Sequence, residues 1–195
     1  QNFFTSFKIN NSLISLNLTN CGIDIHSINK LLDSLRINTT LNSLNLSDNK
    51  LDDFEICLFW DEMKKYKYNF TKLYFNEMGR ISITASQKIS EYFKTNENLL
   101  YLGLSGNNIE DEMMTLIFEG LEENLHLNEI DLKNNKAGSN IINLFSHYLL
   151  SKGNIKKMWM RGNFSKADID KNFGFVFELL AVRFIENDIT DLFTI

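Results

Sequence analysis

One phrase recurs along this chain of 195 residues: an apolar residue, two variable ones, an apolar residue, one variable, an apolar residue, two variable, and then usually Asn. Its copies begin at Leu13, Leu41, Phe70, Leu99, Leu127 and Ile155, so successive copies are 28 or 29 residues apart. Self-similarity at a fixed period constrains a fold more than any single motif. A unit of this size cannot bury its own apolar face and must stack on its neighbours, and the stack supplies a continuous core.

Within each phrase the last two apolar positions alternate at period two, which places Leu16 and Leu18, or Leu44 and Leu46, on one face of a short strand. The stretches between phrases change to helical spacing, with Ile28, Leu31, Leu32 and Leu35 after the first phrase and Met113, Leu116, Ile117 and Leu121 after the fourth. Strands that return through helices must run parallel. The phrase resembles the leucine-rich repeat, and its spacing is similar to that of the ribonuclease-inhibitor-like subclass. The resemblance covers nearly the whole chain and implies an α/β fold, a right-handed leucine-rich-repeat solenoid or horseshoe, with a parallel concave sheet and convex helices.

The repeats occupy residues 13–165. Residues 1–12 read as the tail of a preceding repeat or an N-terminal cap, because FFTSFKINNSL parallels LDSLRINTTL and SEYFKTNENL ahead of later phrases; a further unit is expected before it, and a start at Gln suggests a fragment. Residues 166–195 are expected to form a last helix, with Phe173, Val176, Phe177 and Leu180 on its apolar side, and a C-terminal cap. In that cap Ile189, Leu192 and Ile195 are expected to belong to a degenerate seventh strand that covers the open sheet edge, with truncation of the array as the alternative.

The ninth position of the phrase is Cys21, Asn49, Met78, Asn107, Asn135 and Asn163. A carboxamide there can satisfy backbone groups in the turn after the strand. Cys is an accepted substitute in the family it resembles, as a small thiol that tolerates burial. Met is not, and Arg80 stands where the third unit needs an apolar residue, so an irregular turn is expected between Met78 and Ile81.

A net charge of −5 argues against general nucleic-acid binding, which needs concentrated positive surface. The local cluster of Lys152, Lys156, Lys157, Arg161 and Lys166 reads as solvated surface, and Glu110, Asp111 and Glu112 as carboxylates at the positive end of a helix dipole. No apolar run approaches the roughly 20 residues of a membrane span, so no membrane insertion is expected. Cys21 and Cys57 are too few for a disulfide framework and read as reduced thiols in or near the core. The N-x-S/T triplets at Asn17, Asn38, Asn45, Asn69 and Asn163 could suggest secretion, but Asn17 and Asn45 fall in expected strands. A cytoplasmic location is expected, or the host cytoplasm for a secreted effector.

Signs of catalysis are few. His26, His126 and His147 are dispersed, and the chain has no HExxH, no paired CxxC, no Gly-rich phosphate loop and no GxSxG. Gly103 and Gly106 fall on variable repeat positions. The chain is therefore expected to be a non-enzyme without metal or cofactor.

The register then maps a surface. With positions four and six inward, positions three, five and seven face the concave solvent side. The first two units place Ser15, Asn17, Thr19, Ser43, Asn45 and Ser47 there, all short and neutral. Later units place larger groups on the same face, and Lys72, Tyr74, Tyr101, Glu129, Asp131, Lys133, Lys157, Trp159 and Arg161 are the candidate contacts for a protein partner. Trp159 between Lys157 and Arg161 has the composition of a binding hot spot, unless it packs on the C-terminal cap. Trp60 lies on an expected helix and reads as core; Tyr66 and Tyr68 with nearby lysines offer a lesser convex site. The expectation is a non-catalytic protein–protein interaction module whose partner is unidentified. Relatives in the same repeat subclass add alternatives: a GTPase-activating regulator of a small GTPase, a tropomodulin-like regulator of actin, a scaffold subunit, or a bacterial effector.

Overall fold

The computed structural model describes residues 3–138, 140–151 and 154–164. The expected C-terminal helix and seventh strand, and Lys152 and Lys166 of the basic cluster, lie outside the described residues. Helices and strands alternate: α1 (Phe3–Ile9), β1 (Ser15–Asn17), α2 (Ile25–Leu35), β2 (Ser43–Asn45), α3 (Asp53–Lys65), β3 (Lys72–Tyr74), α4 (Ile83–Thr95), β4 (Tyr101–Gly103), α5 (Asp111–Glu123), β5 (Glu129–Asp131), α6 (Asn140–Ser151) and β6 (Lys157–Trp159). The strands form one six-stranded parallel sheet in sequence order, an α/β solenoid. Identical phrase positions pair throughout: Leu16, Leu44, Leu73, Leu102, Ile130 and Met158 run in register across the sheet.

The inward positions are the core. Leu44, Leu46, Leu73, Phe75, Leu102, Leu104, Ile130 and Leu132 are fully buried, and the helices answer with Ile28, Leu31, Leu32, Leu35, Ile56, Ile89 and Ile117. Helix starts follow the sequence chemistry. Asp24 accepts the Ser27 N–H, Ser82 accepts that of Ala85, and Asp52 forms a reciprocal capping box with Glu55. Glu110 makes no such bond at the start of α5. Asp111 instead reaches the next unit, taking the Gly138 N–H at 2.5 Å and the Asn140 amide at 3.0 Å, so this acidic run joins units as well as facing a dipole.

Aromatic rings fill the middle of the array. Trp60 is wholly buried, with ring centroids 5.6 Å from Phe59, 5.2 Å from Phe75 and 5.2 Å from Tyr92, so one side chain ties the second unit to both the strand turn and the helix of the third. Beside it α4 and α5 approach closely: a Cβ at Gly120 would stand 2.6 Å from the Ser90 backbone. Ion pairs between successive helices, Lys64–Glu91, Lys88–Asp61 and Lys94–Glu123, lie on the surface, where each contributes little.

The Asn column works between units as well as within its own turn. Asn49 Oδ1 accepts the N–H groups of Cys21 and Ile23 in the preceding unit, while its Nδ2 donates to Leu18 and Leu46 carbonyls. Asn135 repeats this with Asn107, Ile109, Leu104 and Leu132. Asn107 accepts from Met78, and Asn163 accepts from Ala137. Cys21, at the first unit, is exposed, and Cys57 is half-buried, so the expectation of thiols in or near the core fails for Cys21. With no described strand on its other side, the first turn lacks the neighbour that buries this position elsewhere.

The third unit departs from the pattern in a specific way. The ladder continues undisturbed beyond β3: Phe75 and Glu77 donate to Gly103 and Ser105 as Leu46 and Asp48 donate to Tyr74 and Asn76. Glu77 and Gly79 also take the positive φ of Asp48 and Lys50. The irregularity lies one step later. Ile81, rather than Arg80, is the buried apolar residue before the helix cap, and its N–H bonds to the Asn107 backbone carbonyl rather than to a side chain. Arg80 is a one-residue insertion, and the expected disturbance of the turn is confined to it.

Candidate concave interaction face

Alternation along each three-residue strand turns one side chain inward and its two neighbours outward, and the parallel register stacks the outward ones into rows across the sheet. In units one and two these outward groups serve the turns. Asn17 Oδ1 accepts the Thr19 N–H and hydroxyl, Asn45 Oδ1 accepts the Ser47 N–H, and Ser47 Oγ accepts the Asn76 N–H. Short polar side chains there are already committed to the fold.

The later units differ because Tyr74 and Gly103 replace the turn-bonding Asn. Asn76 takes over from the side: its amide lies over Gly103, where a Cβ would stand 2.8 Å from Oδ1, and it accepts the Ser105 N–H at 2.9 Å. Tyr74 is thereby free of a turn role and packs on Tyr101, ring centroids 4.8 Å apart. Tyr101 reaches across β5 to Trp159, 6.3 Å away and edge-on. Strands about 4.8 Å apart put β4 and β6 nearly 10 Å from one another, so only large rings close that gap.

Charges frame the aromatic row. Asp131 is buried, accepts the Lys133 N–H at 3.0 Å and lies 3.4 Å from its ammonium. The same ammonium sits 5.7 Å from the Trp159 ring centroid, a cation–π contact. Glu129 and Lys157 are 3.8 Å apart. Arg161 and Lys72 are exposed. Burial, and then the negative Asp131 nearby, push the Tyr101 hydroxyl well above the ordinary phenol range, so it stays a neutral hydrogen-bond donor.

Direct contacts therefore join Tyr74, Tyr101, Trp159, Lys133 and Asp131 into one patch, and the Glu129–Lys157 pair lies beside it on the same strands. Lys72 and Arg161 lie on the strand and turn that flank it, linked to it by position alone. Sequence reading gave no part to Asn76 and Gly103, although the Asn76 amide occupies the place over Gly103 beside Tyr74. The signal was present: Gly at a position that elsewhere holds Asn, Tyr, Asp or Trp marks a close approach. Among the described residues no group of three His, Cys, Asp or Glu is placed to hold a metal ion, and no helix is long and apolar enough to cross a membrane.

A scan against protein-family models finds no match, and neither does a search of curated protein sequences. Solved structures do match. The chain is similar to leiomodin-1 actin-binding site 2, with a TM-score of 0.52 and 16% identity over 91% of this chain and 85% of that one. It is also similar to the tropomodulin C-terminal domain of Caenorhabditis elegans, with a TM-score of 0.60 and 14% identity over 80% of this chain and 96% of that one. At these identities the likeness is one of fold, of leucine-rich-repeat type. It does not single out the ribonuclease-inhibitor-like subclass.

Proposed function

We propose that the chain is a non-catalytic protein-interaction module that binds a protein partner on its concave face, through Lys72, Tyr74, Tyr101, Glu129, Asp131, Lys133, Lys157, Trp159 and Arg161. The carrying observation is the half-buried Tyr74–Tyr101–Trp159 row set among charges of both signs. Large rings held by neighbours lose little freedom on binding, and the flanking Lys, Arg and carboxylates give orientation. A parallel sheet bonded strand to strand keeps the row in a fixed spacing, as rigid solenoid binding requires.

One partner is favoured over others by a specific observation: a solved structure of the same fold is an actin-binding site of leiomodin-1. Monomeric actin is therefore the first probe. The chain is expected to change the time course of pyrene-actin polymerisation, and Trp159→Ala with Arg161→Glu to weaken the effect about 100-fold in concentration. No change with the parent chain rejects actin. A folded double variant that retains full affinity for actin, or for another identified partner, rejects the concave assignment.

A further inference from the structure

A second row of Asn side chains, at the helix ends, has a missing rung. Asn124 caps α5 and donates from Nδ2 to the carbonyls of Phe93 and Asn96, each at 2.8 Å, while its Oδ1 accepts the N–H groups of His126 at 2.9 Å and Leu127 at 2.8 Å. Asn38, after α2, does the same with the Phe7 and Asn10 carbonyls at 3.0 and 2.7 Å and the Thr40 and Leu41 N–H groups at 3.2 and 3.0 Å. In both places one carboxamide, with two donors and one two-sided acceptor, sews the helix end of one unit to the strand entry of the next.

The cap of α3 is Tyr66 instead, and one extra residue separates it from the following phrase. By the register of the other rungs, the backbone groups that a carboxamide would meet here are the Leu35 and Asn38 carbonyls and the Asn69 and Phe70 N–H groups. Among the described residues, none of the four has a hydrogen-bond partner. Leu35, Asn38, Asn69 and Phe70 all line one cleft of about 190 Å³, with Arg36, Thr39, Tyr66 and Tyr68 among its other walls. The Tyr68 hydroxyl is buried, with the Arg36 guanidinium as a polar neighbour.

We propose that this cleft binds a primary carboxamide, the side chain of an Asn or Gln carried on a segment of a partner chain, in the place that the repeat's own Asn fills in other units. Two carbonyls opposite two N–H groups, as the register of the Asn38 and Asn124 rungs places them, select an amide. A carboxylate satisfies the N–H pair but faces the carbonyls with its second oxygen, and an ammonium or guanidinium meets the opposite conflict. Arg36 does not reverse this preference, because its guanidinium is held at 2.8 Å by Asp33 and by Glu62. The site lies at the helix ends, away from the outward strand positions that carry the concave row, so it stands or falls independently of that reading.

The test is an amide nitrogen–proton NMR titration of the whole chain with N-acetyl-Gly-Gln-Gly-N-methylamide, its Glu and Met counterparts, and free propionamide. The Gln peptide is expected to shift the Asn69 and Phe70 amides saturably and to bind at least about tenfold more tightly than the Glu or Met peptide. Tyr66→Asn with deletion of Lys67, which supplies the rung from within, is expected to abolish these shifts. Thr39→Phe, which fills the cleft from its exposed wall, is expected to do the same if the first variant does not fold. Equal response to the Gln, Glu and Met peptides, no saturable shift at Asn69 and Phe70, or undiminished binding by a folded filled variant overturns the proposal. Propionamide binding as tightly as the Gln peptide overturns the assignment to a partner segment.

Discussion

Trp60→Ala is expected to destabilise the chain by about 4 kcal/mol, lowering the thermal midpoint by roughly 10 °C. The indole is fully buried and touches rings from its own unit and the next, so its removal leaves a cavity where the two are joined. In a stacked fold an interface loss is not absorbed locally, because each unit depends on its neighbours for burial. Trp60→Phe is the informative control. It keeps most of the ring volume and removes an indole N–H that has no hydrogen-bond partner among the described residues, so its cost should stay near 1 kcal/mol. Urea unfolding of both variants checks this, and an alanine variant within about 1 kcal/mol of the parent would refute a core centred on Trp60.

Asn135→Ala should cost about 3 kcal/mol, a large effect for one polar side chain. Its carboxamide accepts the N–H groups of Asn107 and Ile109 and donates to the Leu104 and Leu132 carbonyls, all on residues that are themselves buried. Alanine leaves buried backbone groups unpaired, and that penalty exceeds the modest net value of the bonds. Asn135→Asp should be at least as damaging, since it loses both donors and sets a carboxylate against two carbonyls. Asn163→Ala, at a half-buried rung, should cost less. Denaturant midpoints for the three variants test the order, and an Asn135→Ala chain as stable as the parent would show that the column is decorative.

The fold was legible because the constraint was redundant: each Leu of the strand row is repeated at 28 or 29 residues, so no single ambiguous helix or strand carried the assignment. The inward and outward positions followed from the same register, which is why Leu44, Leu73 and Leu102 are buried while Lys72 and Lys157 are exposed. Contacts between units were less legible. That Tyr101 would pass over β5 to reach Trp159 depends on ring size and on how Glu129 and Asp131 lie on the strand between, and a one-dimensional pattern does not carry it. The Arg80 insertion was read as a fault at Met78, because the break in the Asn column and the slipped apolar residue fall within four positions of each other. The helix-end Asn row escaped notice altogether. Its members precede the phrase rather than belong to it, and their partners are backbone atoms about 30 residues back in the chain.

The concave reading is tested most directly by hydroxyl-radical footprinting of the chain alone and in complex with a bound protein, monomeric actin first. Oxidation marks aromatic side chains on both surfaces: Tyr74, Tyr101 and Trp159 on the sheet, and Phe54, which is 67% exposed, on α3. Complex formation is expected to protect Tyr101 and Trp159 and leave Phe54 unchanged. Protection of Phe54 or Tyr66 with undiminished oxidation of Tyr101 and Trp159 would place the partner on the helices and contradict the concave face as the binding surface.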